Sequence, residues 1–264
     1  DADKISTWDI KALDDLIKNG NGDYSTAFGY PMTKDNFLQS SVMFDISAYI
    51  DSDNGKAMFD TQQFKDLLAF ANNFPKEYPT DSDTTGLYRE NKAVIAQAYM
   101  GDFYSFAQMK YATFGEDISL IGFPRESGES SNCVMARLTL AINSGSSNKE
   151  AGWDFIRYFL GDDYQNSIVK SGYQLPVGKI QLDELAKKSM KRRTYTDPNG
   201  KEVEYDETYT INGEEVVIPP LSEADVNQVY SLIDSITTAM RYDQKILNII
   251  SEEAAPFFNG QKSV

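Results

Sequence analysis

Three short apolar runs constrain this chain more than any other feature: Ala93–Met100, cut off by Gly101-Asp102; Ile118–Phe123, stopped by Pro124; and Cys133–Asn143. Runs of this length suit strands buried on both faces better than alternating surface strands. They fall well short of the ~20 apolar residues that span a bilayer. Stretches with helical periodicity lie between and after them. The pattern predicts an α/β layer architecture, with helices packed on a mixed or parallel sheet and one large domain or two small ones.

The first helix is expected from a Thr7 cap, with Ile10, Leu13, Leu16 and Ile17 on one face and Gly20-Asn21-Gly22 ending it. Thr26–Tyr30 reads as a short strand stopped by Pro31, and a second helix as Asp35–Ile50. Asp51-Ser-Asp-Asn-Gly55 resembles the start of a calcium loop, but glycine occupies a ligand position and no glutamate closes the set, so a plain turn is expected. Asp60 or Thr61 caps a third helix ended by Pro75, and Ser147 with Glu150 fits a capping box for a helix rich in Trp, Tyr and Phe.

Beyond Lys187 the character changes. Lys187, Lys188, Lys191, Arg192 and Arg193 are expected at a helix end, where cations suit the macrodipole; a solvated end outweighs an anion site. Asp197-Pro-Asn-Gly200 and Asn212-Gly213 each lie between β-prone runs and predict two hairpins, because Asn and Gly tolerate positive φ. Ser222, with Asp225 three residues on, starts a long helix towards Arg241. The last helix is expected at Asp243–Phe258, burying Ile246, Ile249, Ile250 and Ala254.

Composition removes several chemistries. There are 40 Asp and Glu against 25 Lys and Arg, a net charge of −15, so the average field repels nucleic acid. Without a single histidine, no Ser-His or Cys-His pair can form. Cys133 is alone and reads as a small core residue. Nucleotide-binding glycine fingerprints are missing, and no cofactor or metal is expected. Paired carboxylates remain possible, since a glycosidase needs only two. Nothing resembles a signal peptide. The chain stops at Gly260-Gln-Lys-Ser-Val264, where a further helix could begin, and it reads as a piece of a longer protein.

Aromatic rings at loop and strand ends are the remaining candidates, because rings stack on the apolar faces of sugars. Most of the 16 tyrosines and 15 phenylalanines belong in a core. Phe103 and Tyr104 differ, since Gly101 allows a turn and Asp102 caps a helix that would present both rings at the end of a buried strand. Tyr30 and Asn36 bracket the Pro31 loop. Arg137 is the only charge in a long apolar run and needs either an internal carboxylate or a polar ligand.

The order of motifs resembles a known family. It runs from Phe59-Asp-Thr-Gln-Gln-Phe through Asn91-Lys-Ala-Val-Ile, Gly101-Asp-Phe-Tyr104 and Ile121-Gly-Phe-Pro124. Ala141-Ile-Asn-Ser-Gly follows, and Glu252-Glu-Ala-Ala-Pro-Phe-Phe closes the series. Together they are similar to extracellular solute-binding protein family 1, the maltose-binding-protein-like receptors of ABC importers. The insert ending in Ile218-Pro-Pro-Leu221 resembles larger Gram-positive members.

The resemblance implies a type II periplasmic-binding-protein-like lobe with a β-hairpin insert. Residues 1–142 would form the α/β core of the second lobe, and 143–180 a crossover packing on the first lobe. Residues 181–221 would be helix plus hairpin insert, and 222–264 helices returning to the second lobe. It also implies a monomeric, non-catalytic receptor, lipid-anchored outside the cell in its full-length form. Such a receptor passes a small solute, most simply a mono- or oligosaccharide, to a membrane permease. Phe103 or Tyr104 would be the stacking ring, with Tyr30, Asn36 and Tyr230 as looser matches. With much of the cleft expected outside this chain, weak binding is implied. A secreted carbohydrate-active hydrolase domain using two carboxylates is the alternative.

Overall fold

The computed structural model describes residues 7–20, 22–30, 32–78, 86–125, 127, 132–135, 139–240 and 243–263. The chain is mixed α/β and divides into two compact units that interleave along the sequence. Unit 1 takes residues 1–97, 119–135 and 235–264; unit 2 takes 98–118 and 136–234.

Unit 1 is built on helices. Helix α1 (Ile10–Asn19) is capped by Asp9, whose carboxylate accepts from Ala12 N at 2.8 Å, two residues later than the sequence implies. The reason is Trp8. Its buried indole donates to Gly122 O at 2.9 Å and its carbonyl accepts from Arg125 N at 3.0 Å, which keeps this entry extended.

Thr33 caps α2 (Lys34–Phe44), and the expected single second helix breaks at Asp45 before the short α3 (Ile46–Tyr49). The calcium-like segment is the turn of a small hairpin, β1 (Ile50–Asp51) with β2 (Lys56–Ala57). Thr61 caps α4 (Gln62–Ala71). The unit's last helix, α10 (Gln244–Phe258), starts from Asp243 and buries Leu247, Ile250 and Ala254. Ile249 is exposed, a correction to the expected face.

The core between these helices is aromatic. Phe37 stacks on Phe74 at 4.8 Å and meets Phe70 edge-on at 5.1 Å, while Phe44 stacks on Phe123 at 4.6 Å. Thr26–Tyr30 is turn rather than strand. Gly29 there has φ +62°, and a Cβ on it would fall 2.2 Å from the Tyr88 ring, whose hydroxyl donates to Phe28 O. Only glycine fits that approach.

The expected strands at Ala93–Met100 and Ile118–Phe123 are extended but unladdered, apart from an isolated bridge at Phe123, and against expectation only Ala93 and Phe123 of them are buried. Val94 N and Ile95 N both donate to the single carbonyl of Ala27. An extended run becomes a strand only when a neighbour supplies a ladder of partners. Of the third run, Cys133–Val134 forms β3, pairing in parallel with β8 (Thr238–Ala239); Cys133 is half-buried there. Among the described residues every sheet has two strands.

Unit 2 begins with α5 (Phe103–Ala107), which continues into a π-helical stretch, Gln108–Phe114, ended by Gly115 at φ +75°. Helices α6 (Lys149–Tyr158) and α7 (Asp162–Ser171) follow, then α8 (Lys179–Ser189). Asn148 caps α6 without a side-chain bond, so the expected capping box is not made.

Both hairpins are present. Strand β4 (Arg193–Thr196) pairs with β5 (Glu202–Tyr205), and β6 (Glu207–Ile211) with β7 (Glu214–Ile218). Asn212 and Gly213 take φ +51° and +80°, the values a two-residue turn of matching twist requires. Helix α9 (Glu223–Asp234) closes the unit, shorter than the helix expected to reach Arg241.

Candidate functional site

Asp102 Oδ1 accepts from Ser105 N at 2.6 Å and from its hydroxyl at 2.7 Å. That cap starts α5 at the position the sequence implies, and its first turn carries two rings with different fates. Phe103 is buried and meets Tyr230 edge-on at 6.3 Å. Tyr104 is half-buried, with the Arg193 guanidinium 4.7 Å over its ring. Arg193 also lies 5.5 Å over Tyr173, which follows the turn Gly172 makes at φ +76° after α7.

These groups line a cavity of about 640 Å³ within unit 2. The volume falls among the roughly 300–1,000 Å³ of small-molecule sites.

Arg193 is fixed by Glu207 at 2.9 Å, and Arg192 by Asp206 at 2.8 Å. Burial works against the Arg193 charge, but Glu207 and the neighbouring tyrosines outweigh it and hold its pKa above the usual arginine value. Burial, then Glu207, push the Tyr104 hydroxyl up while Arg193 pulls it down. A guanidinium over two ring faces combines cation–π attraction with stacking. Such a cluster offers a solute flat apolar surface beside directional hydrogen-bond donors. Arg193 was expected at a solvated helix end. Helix α8 stops at Ser189 instead, and Arg193 opens β4 half-buried. The Arg193-Thr-Tyr-Thr alternation was the available sign of a strand.

A second charged centre supports the cavity's elements. The carboxylate of Asp225, buried in the first turn of α9, accepts from Lys110 Nζ and Tyr111 Oη, each at 2.6 Å, and from Ser222 Oγ at 2.7 Å. Burial alone would push this carboxyl up. The hydrogen bonds from Lys110, Tyr111 and Ser222 prevail and hold it far below the usual carboxylate range. Lys110, also bound to Asp117 at 2.8 Å, is held above the usual lysine range by both acids. Burial and the bond to Asp225 push Tyr111 to about 12. Sequence reasoning found the reciprocal Ser222–Asp225 cap but not the lysine beneath it.

The family model for bacterial extracellular solute-binding proteins matches residues 1–166. The chain belongs to that family. Membership supports an extracellular solute-binding role in ABC-type transport. No curated protein matches this solute-binding protein. The matched residues include Phe103 and Tyr104, while Tyr173 and Arg193 lie beyond them.

The remaining expected site residues are dispersed. Tyr230 is in unit 2, where its hydroxyl donates to Asp183 at 2.6 Å; burial and that bond push it to about 12. Tyr30 and Asn36 belong to unit 1, donating to Gln97 Oε1 at 2.8 Å and to the Tyr78 hydroxyl at 2.6 Å. Arg137 lies outside the described residues. Among the described residues no group of three or more Cys, Asp or Glu is placed to hold a metal ion, and no helix is long and apolar enough to cross a membrane.

Proposed function

We propose that this chain is the solute-capturing component of an ABC-type importer. Its solute is a mono- or oligosaccharide, and it hands that solute unaltered to a membrane permease. It acts as a monomer, tethered to the cell surface by a lipid in its full-length form. The observation that carries the carbohydrate reading is the ring pair Tyr104 and Tyr173 beside Arg193 in a cavity of about 640 Å³. Rings supply stacking surface for a sugar face, and fixed donors orient its hydroxyls. Asp102 positions this wall, its Oδ1 accepting both bonds of the α5 cap.

The test is a thermal-shift screen of the chain against sugars at high concentration, followed by thin-layer chromatography of the mixture. A sugar that stabilises the protein and is recovered intact supports the receptor. A hydrolysed sugar overturns it in favour of a glycosidase. Tyr104→Ala should weaken binding of the stabilising sugar about tenfold, the value of one aromatic stacking contact.

A further inference from the structure

The chain as a whole carries far more acids than bases, yet the cavity of unit 2 reverses that balance. Five basic side chains line it against three acidic ones. Arg192 and Arg193 are neutralised by Asp206 and Glu207. The other three are Lys170, Lys188 and Lys191, and none has a carboxylate partner among the described residues. Lys188 directs Nζ to the carbonyls of Val169 and Lys170 at 3.2 and 3.1 Å, answering the negative end of α7 and leaving a donor free. Lys170 and Lys191 are exposed at the same cavity.

Like charges gathered around one recess repel each other, and an anion between them relieves the repulsion while gaining charge-assisted hydrogen bonds. Lys170 and Lys188 each suit the helix end on which they lie, but helix ends do not require that they and Lys191 share one cavity with stacking rings and without a carboxylate partner among the described residues.

We propose that the solute is an anionic sugar, its carboxylate or phosphate held by Lys170, Lys188 and Lys191 and its ring set against Tyr104 and Tyr173. The proposal rests on the carbohydrate reading above and narrows it to one chemical class. Lys191 and Lys170 then select for charge, and the Tyr104–Arg193–Tyr173 cluster for a ring.

Calorimetry on the full chain decides this, with glucuronate, galacturonate and glucose 6-phosphate against glucose, galactose and inorganic phosphate, each at low and high salt. At least one anionic sugar should bind about tenfold tighter than its neutral parent, and the advantage should shrink as salt screens the lysines. A preference for uronate or for sugar phosphate identifies the anionic group. The double variant Lys170→Ala with Lys191→Ala should lose most of that advantage, and melting without ligand checks that these exposed changes leave the fold intact.

Neutral sugars binding as tightly as their acidic counterparts would overturn the anionic class and leave the carbohydrate reading standing. Inorganic phosphate binding as tightly as glucose 6-phosphate would overturn the role of the rings. If none of the sugars binds, both readings fall.

Discussion

The two units bury their interiors by different physics. Unit 1 packs ring against ring: Phe37 sits among Phe28, Phe70, Phe74 and Phe123 with no exposed surface. Stabilisation of that kind comes from apolar burial and close packing, and it responds weakly to pH and salt. Unit 2 instead fixes the start of α9 to the π-helical stretch through the buried Asp225 carboxylate and Lys110. Its helix α6 buries none of its residues, and Trp153, Phe155 and Tyr158 are exposed on it. One interior is dominated by ring contacts; the other buries Phe103, Phe106, Leu185, Leu221 and Val229 and adds a charged centre that unit 1's aromatic core does without. Each unit also carries one tryptophan, the buried Trp8 in unit 1 and the exposed Trp153 in unit 2, so fluorescence reads them separately.

The sharpest way to break the contrast is Phe37→Ala. Removing a fully buried ring should cost about 4–5 kcal/mol, measured by urea unfolding followed through Trp8 with Trp153→Phe in place. An equal loss in the Trp153 signal, with Trp8→Phe, would mean the units stand or fall together and the contrast has no energetic content.

Asp225→Asn should cost about 3 kcal/mol in the Trp153 signal. It strips the charge opposite Lys110, and the remaining Asp117 contact softens the loss. The same carboxylate sets a pH dependence. Its folded pKa lies below its unfolded value, so its contribution is fully present above about pH 5. It is lost as pH falls below about 4 towards the folded value. Acid should therefore weaken the Trp153 transition more in the parent protein than in Asp225→Asn; an identical acid response would remove Asp225 from the account. The smallest effect is expected at Trp153→Ser, within about 0.5 kcal/mol by calorimetry, since that indole is half exposed.

What was legible in the sequence follows the reach of each interaction. The caps at Thr61, Asp102 and Asp243, the reciprocal Ser222–Asp225 pair and both hairpin turns appear where the residues imply them. The start of α1 was misplaced because Trp8 is held by Gly122 and Arg125, more than a hundred residues away. The buried face of α10 takes Leu247 rather than Ile249: two apolar pairs, Ile246-Leu247 and Ile249-Ile250, separated only by Asn248, leave the choice to the surface they meet. The three apolar runs misled for the same reason, since such a run declares neither its pairing partner nor its burial: Ala93 and Phe123 are buried, but Tyr99, Val134, Met135 and Leu140 are exposed.

The candidate site divides along the same line. From residues alone, the Gly101–Tyr104 turn was evident as a place that presents rings at a helix start. Only the tertiary structure separated Phe103, buried against Tyr230, from Tyr104, partly open beneath Arg193. It likewise took Arg193 from an apparent cationic helix end and set it over two tyrosines distant in sequence. Caps and turns are decided within about four residues, where the backbone's own hydrogen-bond demands choose the side chain. Burial, strand pairing and the company of a charge depend on which distant segments arrive, and no local pattern encodes that.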